Sequence, residues 1–377
     1  MFLFKHIIKI LLGDIVLFPI FLFNIFINIK KIRNCEVLVL QNSTGYGNHF
    51  THQDLARYFF RNKKITYIHY FEKNRQNKFL PKVFDMSYFY FKNNISFELF
   101  NKKITFGEIE SSKIKPLYNL SILLIKFFKK KESRIYLYPF IYEKINRSCK
   151  KFNLNFDLRD VDLNKDKHWI SYYYFLVNKY KKKFLLNKID PTSLDIKIEN
   201  NRKICCIYLR YKNNNINDFN LMRSGHESID EYLELIEFLI SKNYFIGLIG
   251  DINEKSYKKI KKFNKNLINV CNLKGIHQLN TELYFLTNCD LFISEPGGCI
   301  YFGLYAKKTL LINYFPINYP FPALKLNKKV FNEDKNNYED FNKLSYNKQI
   351  NELLYNNKLK LKNNNSSEIL NFVKNNI

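Results

Sequence analysis

The sequence predicts an α/β protein of two domains that face each other across a cleft, each domain being a parallel sheet flanked by helices. The apolar runs 35–41 and 290–294 each lead, through a pair of glycines, into a helical pattern. That succession is typical of a strand-to-helix turn in an α/β sheet. The polar segment 188–203 interrupts the pattern and predicts the domain boundary.

The composition indicates a folded and strongly basic protein. Of its 377 residues, 46% are hydrophobic and 17% are aromatic, a higher aromatic content than disordered chains have. The 61 Lys and Arg outnumber the 34 Asp and Glu, which gives a net charge of +27. This charge permits phosphates, anionic lipid or nucleic acid as partners. The basic residues are scattered and form no nucleic-acid-binding motif, so we expect no specific nucleic acid partner.

The seven cysteines predict neither a metal site nor a disulfide framework. No C-x-x-C pair occurs, and most of the cysteines lie within apolar runs. This pattern favours buried, reduced thiols and a reducing compartment.

Residues 1–31 are predicted to form a membrane-associated helix. The stretch 7–29 is mostly apolar and has lysines on both sides, but its uncharged part, 15–27, contains Pro19. This part is shorter than the roughly 20 apolar residues that a spanning helix needs. We therefore expect a helix in the membrane plane whose lysines meet anionic headgroups. A buried first helix is the alternative.

The first domain is expected over 32–190 and contains the candidates for an acid–base group. Its glycine-rich loop places two imidazoles, His49 and His52, close to Asp54. Thr51 and Asp54 together also resemble a helix start. Group transfer to a hydroxyl needs a base, and we rank His49 first and Asp54 second for this role. We rank His52 third, because at the first turn of the helix it would point into solvent.

The second domain is expected over 200–330, where strand and helix patterns alternate regularly. Such a βαβ series predicts a parallel sheet flanked by helices. The remaining residues, 331–377, are rich in Asn and Lys and predict either closing helices or a loosely held tail.

A candidate anion site follows one strand of this second domain. Ser294, Glu295, Gly297 and Gly298 stand at a glycine turn into a helix, where free backbone N–H groups favour a pyrophosphate. We expect Glu295 to meet ligand hydroxyls. The alternative is a tight turn that needs glycine for backbone reasons only.

Three charged residues are predicted at the same sheet edge. Arg210 ends one strand and Arg223 lies before the next helix, and guanidinium groups suit phosphate oxygens. Asp251 follows another strand, where it either binds a sugar or ribose hydroxyl or caps the next helix; capping is the favoured role.

A metal site is not expected. Asp160 and Asp162 form a D-x-D pair, but no apolar strand precedes them, which favours a solvated acidic loop. We predict metal independence and no cofactor.

Several motifs of the chain occur together, in the same order and spacing, in one known family. They are Gly45-Tyr-Gly47-Asn-His49 with Asp54-Leu-Ala-Arg57, Tyr208-Leu-Arg210, Met222-Arg223 with Tyr232, Tyr244 to Asp251, Asn288 to Gly298, and Leu311 to Pro316. With these motifs the chain resembles a bacterial family of proposed glycosyltransferases from surface-polysaccharide gene clusters. The resemblance covers roughly 35–71 and 203–320, whereas Glu295 and Pro296 depart from the family's pattern.

The resemblance implies a GT-B fold of two Rossmann-like domains and a glycosyltransferase of capsule or O-antigen biosynthesis. A nucleotide-sugar would be the donor, with its diphosphate held in the second domain, and a glycan or lipid-linked acceptor would face His49 or Asp54. The enzyme would lie in the cytoplasm, peripheral to the inner face of the cytoplasmic membrane. The implied diphosphate contacts are Arg210, Arg223, Ser294, Gly297 and Gly298.

Other functions remain open from the sequence. The arginine placement is similar to that of GDP-fucose transferases, but Tyr208 stands where their motif has histidine. A polysaccharide pyruvyl transferase, which takes phosphoenolpyruvate, is the alternative enzyme. A non-catalytic, membrane-associated scaffold of the same pathway is the third possibility.

Overall fold

The chain divides into two compact units: one comprises Met1–Asn153 with Phe175–Asn187, and the other comprises Leu154–Tyr174 with Lys188–Ile377. Each unit contains a parallel sheet, so the predicted α/β class is confirmed. The computed structural model describes residues 19, 22–41, 46–71, 83–92, 94–99, 102–107, 123–137, 167–190, 194, 198–199, 201–210, 225–226, 228–250, 258–314, 321–332, 336–340 and 361–377.

A four-stranded parallel sheet forms the centre of the first unit. The unit's strands are β1 (Val37–Gln41), β2 (Ile65–Phe71), β3 (Ser87–Lys92), β4 (Asn94–Leu99), β5 (Lys102–Gly107) and β6 (Arg134–Leu137). The sheet order is β3-β2-β1-β6, while β4 and β5 form a separate antiparallel hairpin. Because β1 is buried on both faces, its residues are apolar at successive positions.

Short helices cover one face of this sheet. They comprise residues 22–27, α1 (Ile29–Arg33) and α3 (residues 123–128), whereas α2 (Tyr46–Phe59) follows β1 directly. Ile25, Ile32 and Ile125 are buried in one apolar cluster with side chains of β1. The last part of the predicted membrane segment therefore packs on the sheet through one face. Residues 1–18 lie outside the described part, and their membrane contact stays a prediction.

Helices of the described residues are too short or too polar to cross a bilayer.

A six-stranded parallel sheet forms the centre of the second unit. Its strands are β7 (Lys203–Leu209), β8 (Tyr244–Gly250), β9 (Leu267–Asn269), β10 (Leu291–Ser294), β11 (Lys308–Tyr314) and β12 (Leu324–Asn327). The order is β12-β11-β10-β7-β8-β9, with every neighbouring pair parallel. The first strand of the unit thus lies beside the fourth, which is the doubly wound Rossmann order.

Helices α5 (Asp230–Ser241) and α6 (Gly275–Asn288) connect strands of this sheet. Helix α4 (Lys167–Tyr180) precedes β7, and the division between the two units falls within it. In α5, Tyr232, Leu235, Ile236 and Leu239 are buried, and their spacing places them on one helix face against the sheet.

The glycine turn after β10 leads into a 3-10 helix, Gly298–Leu304, where the sequence predicts an α-helix. Five of its seven residues are glycine, aromatic or β-branched, which have low helix propensity. Gly303 also allows Phe292 and Thr309 to approach its backbone, since a Cβ there would lie 2.8 Å from both side chains.

The C-terminus closes the second unit. The small antiparallel sheet of β13 (Lys329–Asn332), β14 (Asn337–Asp340) and β15 (Leu361–Lys362) precedes α7 (Ser366–Lys374). Helix α7 begins with a capping box between Asn365 and Glu368, and it packs on α5. Ile369 and Val373 are buried in the core of the sheet, so 366–374 is a closing helix and not a loose tail.

Replacing Ile369 with alanine should lower the free energy of unfolding by about 2–5 kcal/mol, because it leaves a cavity in this core. Urea denaturation followed by circular dichroism measures the change. Asn371→Ala, on the exposed face of the same helix, is the matched control and should change stability by less than about 0.5 kcal/mol. Equal effects of the two substitutions would show that α7 is not part of the core.

Candidate active site

The candidate site lies where the strand order of the second unit reverses. Strands β7 and β10 are neighbours, and Tyr208 is paired with Ser294. The Glu295 N–H donates to the Tyr208 carbonyl at 3.0 Å, just beyond the strand ends. The chain runs from β7 toward one side of the sheet and from β10 toward the other. Such a switch point leaves a crevice at the carboxyl ends of the strands, where open α/β sheets bind ligands.

The structure brings five of the predicted site residues to this edge. Arg210 immediately follows β7, and its backbone is fixed there because its N–H donates to the Glu295 carboxylate at 2.5 Å. Ser294, Glu295, Gly297 and Gly298 lie at the end of β10 and in the turn that follows. Arg223 and Asp251, which the sequence places at the same edge, lie outside the described residues.

The Glu295 carboxylate is the centre of a buried polar network. The residue is buried, with its side chain 0% exposed. Tyr232 donates its hydroxyl to Oε1 at 2.6 Å, and the Asn313 amide donates to the same oxygen at 3.5 Å. The other oxygen accepts the Arg210 N–H and lies 3.2 Å from Nδ1 of His226. Both oxygens are thus engaged by the protein, which favours a positioning role for Glu295 over direct contact with ligand hydroxyls.

Tyr232 is a permanent donor in this network. Burial, together with the neighbouring Glu295 carboxylate, raises the pKa of Tyr232 well above its usual range. The phenol therefore keeps its proton and the hydrogen bond to Oε1. The His226 ring meets the Tyr232 ring edge to face, with centroids 5.7 Å apart, so the two side chains are also packed against each other.

Asn313 ties the C-terminal segment to the same carboxylate. It lies at an irregularity of β11 with a φ of 52°, a conformation that asparagine tolerates better than most residues. Its side-chain oxygen accepts hydrogen bonds from the Asn364 backbone N–H at 2.8 Å and from the Asn364 amide at 3.0 Å. The approach to the last helix is thus connected to the sheet edge through buried amides.

Two glycines allow the edge to close tightly. A Cβ at Gly225 would lie 2.0 Å from Glu295 Oε2 and 2.2 Å from the Arg210 carbonyl, so only glycine fits there. A Cβ at Gly297 would lie 2.4 Å from the hydroxyl of Tyr208. The backbone of Gly297 is extended, with a φ of 178°, a conformation that any residue can adopt. Glycine is therefore needed at this position because the Tyr208 ring packs against it, and not because of its backbone conformation.

Ser294 is also used within the protein. It is buried, and its hydroxyl donates to the Glu295 carbonyl at 2.7 Å. The bond fixes the peptide that leads into the glycine turn. This arrangement, like that of Glu295, favours a role in shaping the turn.

In the first unit, the helix after β1 begins earlier than the sequence predicts. Helix α2 starts at Tyr46, so Thr51 and Asp54 lie within it, and the predicted helix start at Thr51 is wrong. His52, predicted to point into solvent, is buried. The early start brings the helix close to the end of β1 and places His49 in its first turns. The His49 side chain lies outside the described part of the structure.

Asp54 belongs to a buried ion pair. One of its oxygens lies 2.6 Å from a guanidinium nitrogen of Arg57, and both side chains are buried. The Arg57 guanidinium also donates to the carbonyls of Phe184 at 2.9 Å and Leu185 at 3.1 Å, and it lies over the Phe84 ring. A carboxylate held in this way is inaccessible to an acceptor hydroxyl. The geometry favours a structural role for Asp54 and leaves His49 as the candidate base.

The described cysteines are free thiols, and most of them are buried. Burial raises the pKa of Cys205 and Cys206 well above the usual range and that of Cys289 to about 12. Such thiols stay protonated and unreactive at neutral pH. Within the described residues, no group of three or more His, Cys, Asp and Glu side chains could hold a metal ion. Asp160 and Asp162 lie outside those residues, and metal independence stays a prediction.

His226, Gly225 and Asn364 are site residues that the sequence analysis missed. Tyr232 and Asn313 are present in the family motifs, but their common contact with Glu295 is not visible there. The sequence does contain one indication of this network. Glu295 directly follows an apolar strand, and a carboxylate buried at such a place needs hydrogen-bond donors.

Comparisons with known proteins give distant similarities only. No known protein family and no curated protein matches the chain by sequence. Among solved structures, the wall teichoic acid polymerase TagF is 11% identical, with a TM-score of 0.32 over 85% of this chain and 83% of that chain. The ADP-heptose lps heptosyltransferase II of E. coli is 11% identical, with a TM-score of 0.43 over 85% of this chain and 98% of that chain. The fold assignment rests on the strand order of the two sheets.

Replacing Glu295 with glutamine should destabilise the second unit, because an amide NH₂ would face groups that donate to the carboxylate. We expect the free energy of unfolding to fall by about 1–3 kcal/mol in urea denaturation. Glu234→Gln is the matched control, since Glu234 is exposed on α5. If both variants unfold like the wild type, the carboxylate does not organise the sheet edge.

Proposed function

We propose that the protein is a glycosyltransferase of the GT-B type, which moves a sugar from a nucleotide-sugar donor to a glycan or lipid-linked acceptor. The observation that carries the proposal is the reversal of strand order between β7 and β10, with Arg210 and the Gly297-Gly298 turn at the crevice. A nucleoside diphosphate fits this edge because it presents phosphate oxygens to a guanidinium and to backbone N–H groups.

Arg210 is the proposed contact of the diphosphate. Arg210 is half-buried, and Glu295 accepts its backbone N–H, which holds the residue at the crevice. In the transfer, the bond between the anomeric carbon and the phosphate oxygen breaks as the acceptor oxygen bonds to that carbon. The leaving diphosphate gains negative charge, which Arg210 stabilises. Arg223, predicted from sequence at the same edge, is the proposed second cation.

The first unit is proposed to serve the acceptor. The acceptor hydroxyl loses its proton as it attacks, and a base must take that proton. His49 is the proposed base, since it lies early in α2, just after the carboxyl end of β1, and since Asp54 is already paired with Arg57. We propose no metal ion and no cofactor for the reaction.

The proposed setting is surface-polysaccharide biosynthesis at the inner face of the cytoplasmic membrane. The basic charge and the predicted membrane contact of the N-terminus suit a lipid-linked acceptor.

Donor binding should depend on Arg210. A thermal-shift screen with UDP, GDP, CMP, dTDP and ADP beside phosphoenolpyruvate should show stabilisation by at least one nucleotide. Arg210→Gln keeps the backbone bond to Glu295 but removes the charge, and it should weaken binding about 10–100-fold in calorimetric titration. The control is Arg134→Gln, which removes an exposed positive charge at the start of β6 in the first unit and should not alter binding. Stabilisation by phosphoenolpyruvate alone would contradict the proposal.

Turnover should depend on His49 without affecting donor binding. With the nucleotide-sugar identified by the screen, His49→Gln should lower kcat by about 10²–10⁴-fold and leave the donor's Kd unchanged. The assay contains EDTA, in which the wild type should remain active. His277→Gln, an exposed histidine of α6, is the control. Full activity of His49→Gln would remove this residue from the mechanism.

A further inference from the structure

The first unit exposes large apolar side chains from two segments that are distant in sequence. The exposed fractions are 64% for Phe23, 56% for Phe26 and 60% for Ile27 in the first segment, and 61% for Leu123 and 81% for Phe127 in the second. Isolated exposed side chains of this kind are common, but a cluster of them marks an interaction surface.

The two segments lie side by side. The rings of Phe26 and Phe128 meet edge to face with centroids 5.6 Å apart. Nε of Arg33 donates to the Phe128 carbonyl at 3.5 Å, a contact between residues 95 positions apart. The Phe127 and Phe128 rings are 5.2 Å apart, which extends the cluster from the contact to the exposed side. The exposed side chains thus form one surface and not two unrelated patches.

This surface is fixed to the body of the unit. Ile25, Ile32 and Ile125, which belong to the same two segments, are completely buried against the sheet. Leu123 and Phe127 are four residues apart on α3 and share a face, as do Phe23 and Ile27 in the helix 22–27. Each helix therefore has one apolar face in the core and a second one in solvent. The core accounts only for the first.

The charged side chains within the two segments are all of one sign. Residues 22–33 and 123–131 contain seven basic side chains and no acidic one. An apolar centre with a cationic surround is complementary to a bilayer that contains anionic lipid, where rings enter the acyl region and lysines meet headgroups. The basic residues are Lys30, Lys31, Arg33, Lys126, Lys129, Lys130 and Lys131.

We propose that these two segments together form a docking surface for an anionic lipid bilayer, with the helices lying in the plane of the membrane interface. The N-terminal segment is then only half of the contact, and α3 with its lysines is the other half. This inference is independent of the proposed enzymatic activity, because binding to a bilayer needs neither donor nor acceptor.

Vesicle flotation of the full chain tests the surface. The wild type should float with vesicles of equimolar phosphatidylglycerol and phosphatidylcholine and bind pure phosphatidylcholine at least about tenfold more weakly. Leu123→Ser with Phe127→Ser should lower partitioning into the anionic vesicles by at least about tenfold, as expected for losing two exposed apolar side chains. The matched control, Leu185→Ser with Leu324→Ser, removes exposed leucines elsewhere and should bind like the wild type.

A charge variant tests the cationic surround separately. Lys126→Gln with Lys130→Gln should weaken binding to the anionic vesicles by about tenfold or more. Lys258→Gln with Lys265→Gln removes the same charge from exposed positions of the second unit and should have a smaller effect. Equal losses for the two pairs would point to non-specific attraction by the basic protein, which overturns the proposal.

A fluorescent reporter gives a measurement that does not depend on loss of binding. When anionic vesicles are added, the tryptophan emission of Phe127→Trp should shift to the blue more than that of the wild type, whose single tryptophan gives the background. Leu185→Trp should show no such additional shift. Wild-type binding by the Leu123 and Phe127 variant, with loss of binding only on deletion of residues 1–18, would overturn the proposal. The proposal would also be overturned if the wild type were a dimer and this variant a monomer with unchanged vesicle binding. The surface would then join two copies of the chain.

Discussion

The second unit depends on one buried carboxylate. Removing Glu295 from water costs several kcal/mol, and this cost is acceptable only if donors replace the lost hydration. The donors come from Arg210 after β7, Tyr232 in α5 and Asn313 in β11, with His226 beside them. Because these groups belong to separate elements, the carboxylate can be satisfied only when the elements are correctly assembled. Glu295 therefore specifies the geometry of the sheet edge as well as adding stability.

This arrangement also decides what remains for a ligand. The Glu295 carboxylate and the Ser294 hydroxyl are engaged by the protein, so these two side chains shape the crevice without contacting the ligand. The proposed anion contacts are therefore the Arg210 side chain, whose backbone N–H is bound by the same carboxylate, and the backbone N–H groups of the Gly297-Gly298 turn. A cation at this place would stabilise the charge that develops on a leaving group. The backbone position of the proposed cation is thus a consequence of burying one negative side chain.

The sequence was sufficient for those features that depend on local patterns. Apolar runs ending in glycine identified β1 and β10, and the alternation of strands and helices identified the parallel sheet of the second unit. It was not sufficient where partners are far apart. The partners of Arg57 lie 127 and 128 positions away, and Tyr232 lies 63 positions from Glu295. Asp54 and Glu295 look like ligand-binding carboxylates until those partners are known.

The helix 22–27 shows the same limit for apolar residues. Periodicity identifies an amphipathic helix when one face is apolar and the other polar. Here Ile25 faces the core while Phe23 and Phe26 are exposed, so apolar side chains lie on both faces and the sequence fits both a buried helix and a membrane anchor. Packing against the sheet uses one face only, and the proposed bilayer contact would use the other. Burial on the first face also orders the second, which would lower the entropic cost of the proposed binding relative to a flexible tail.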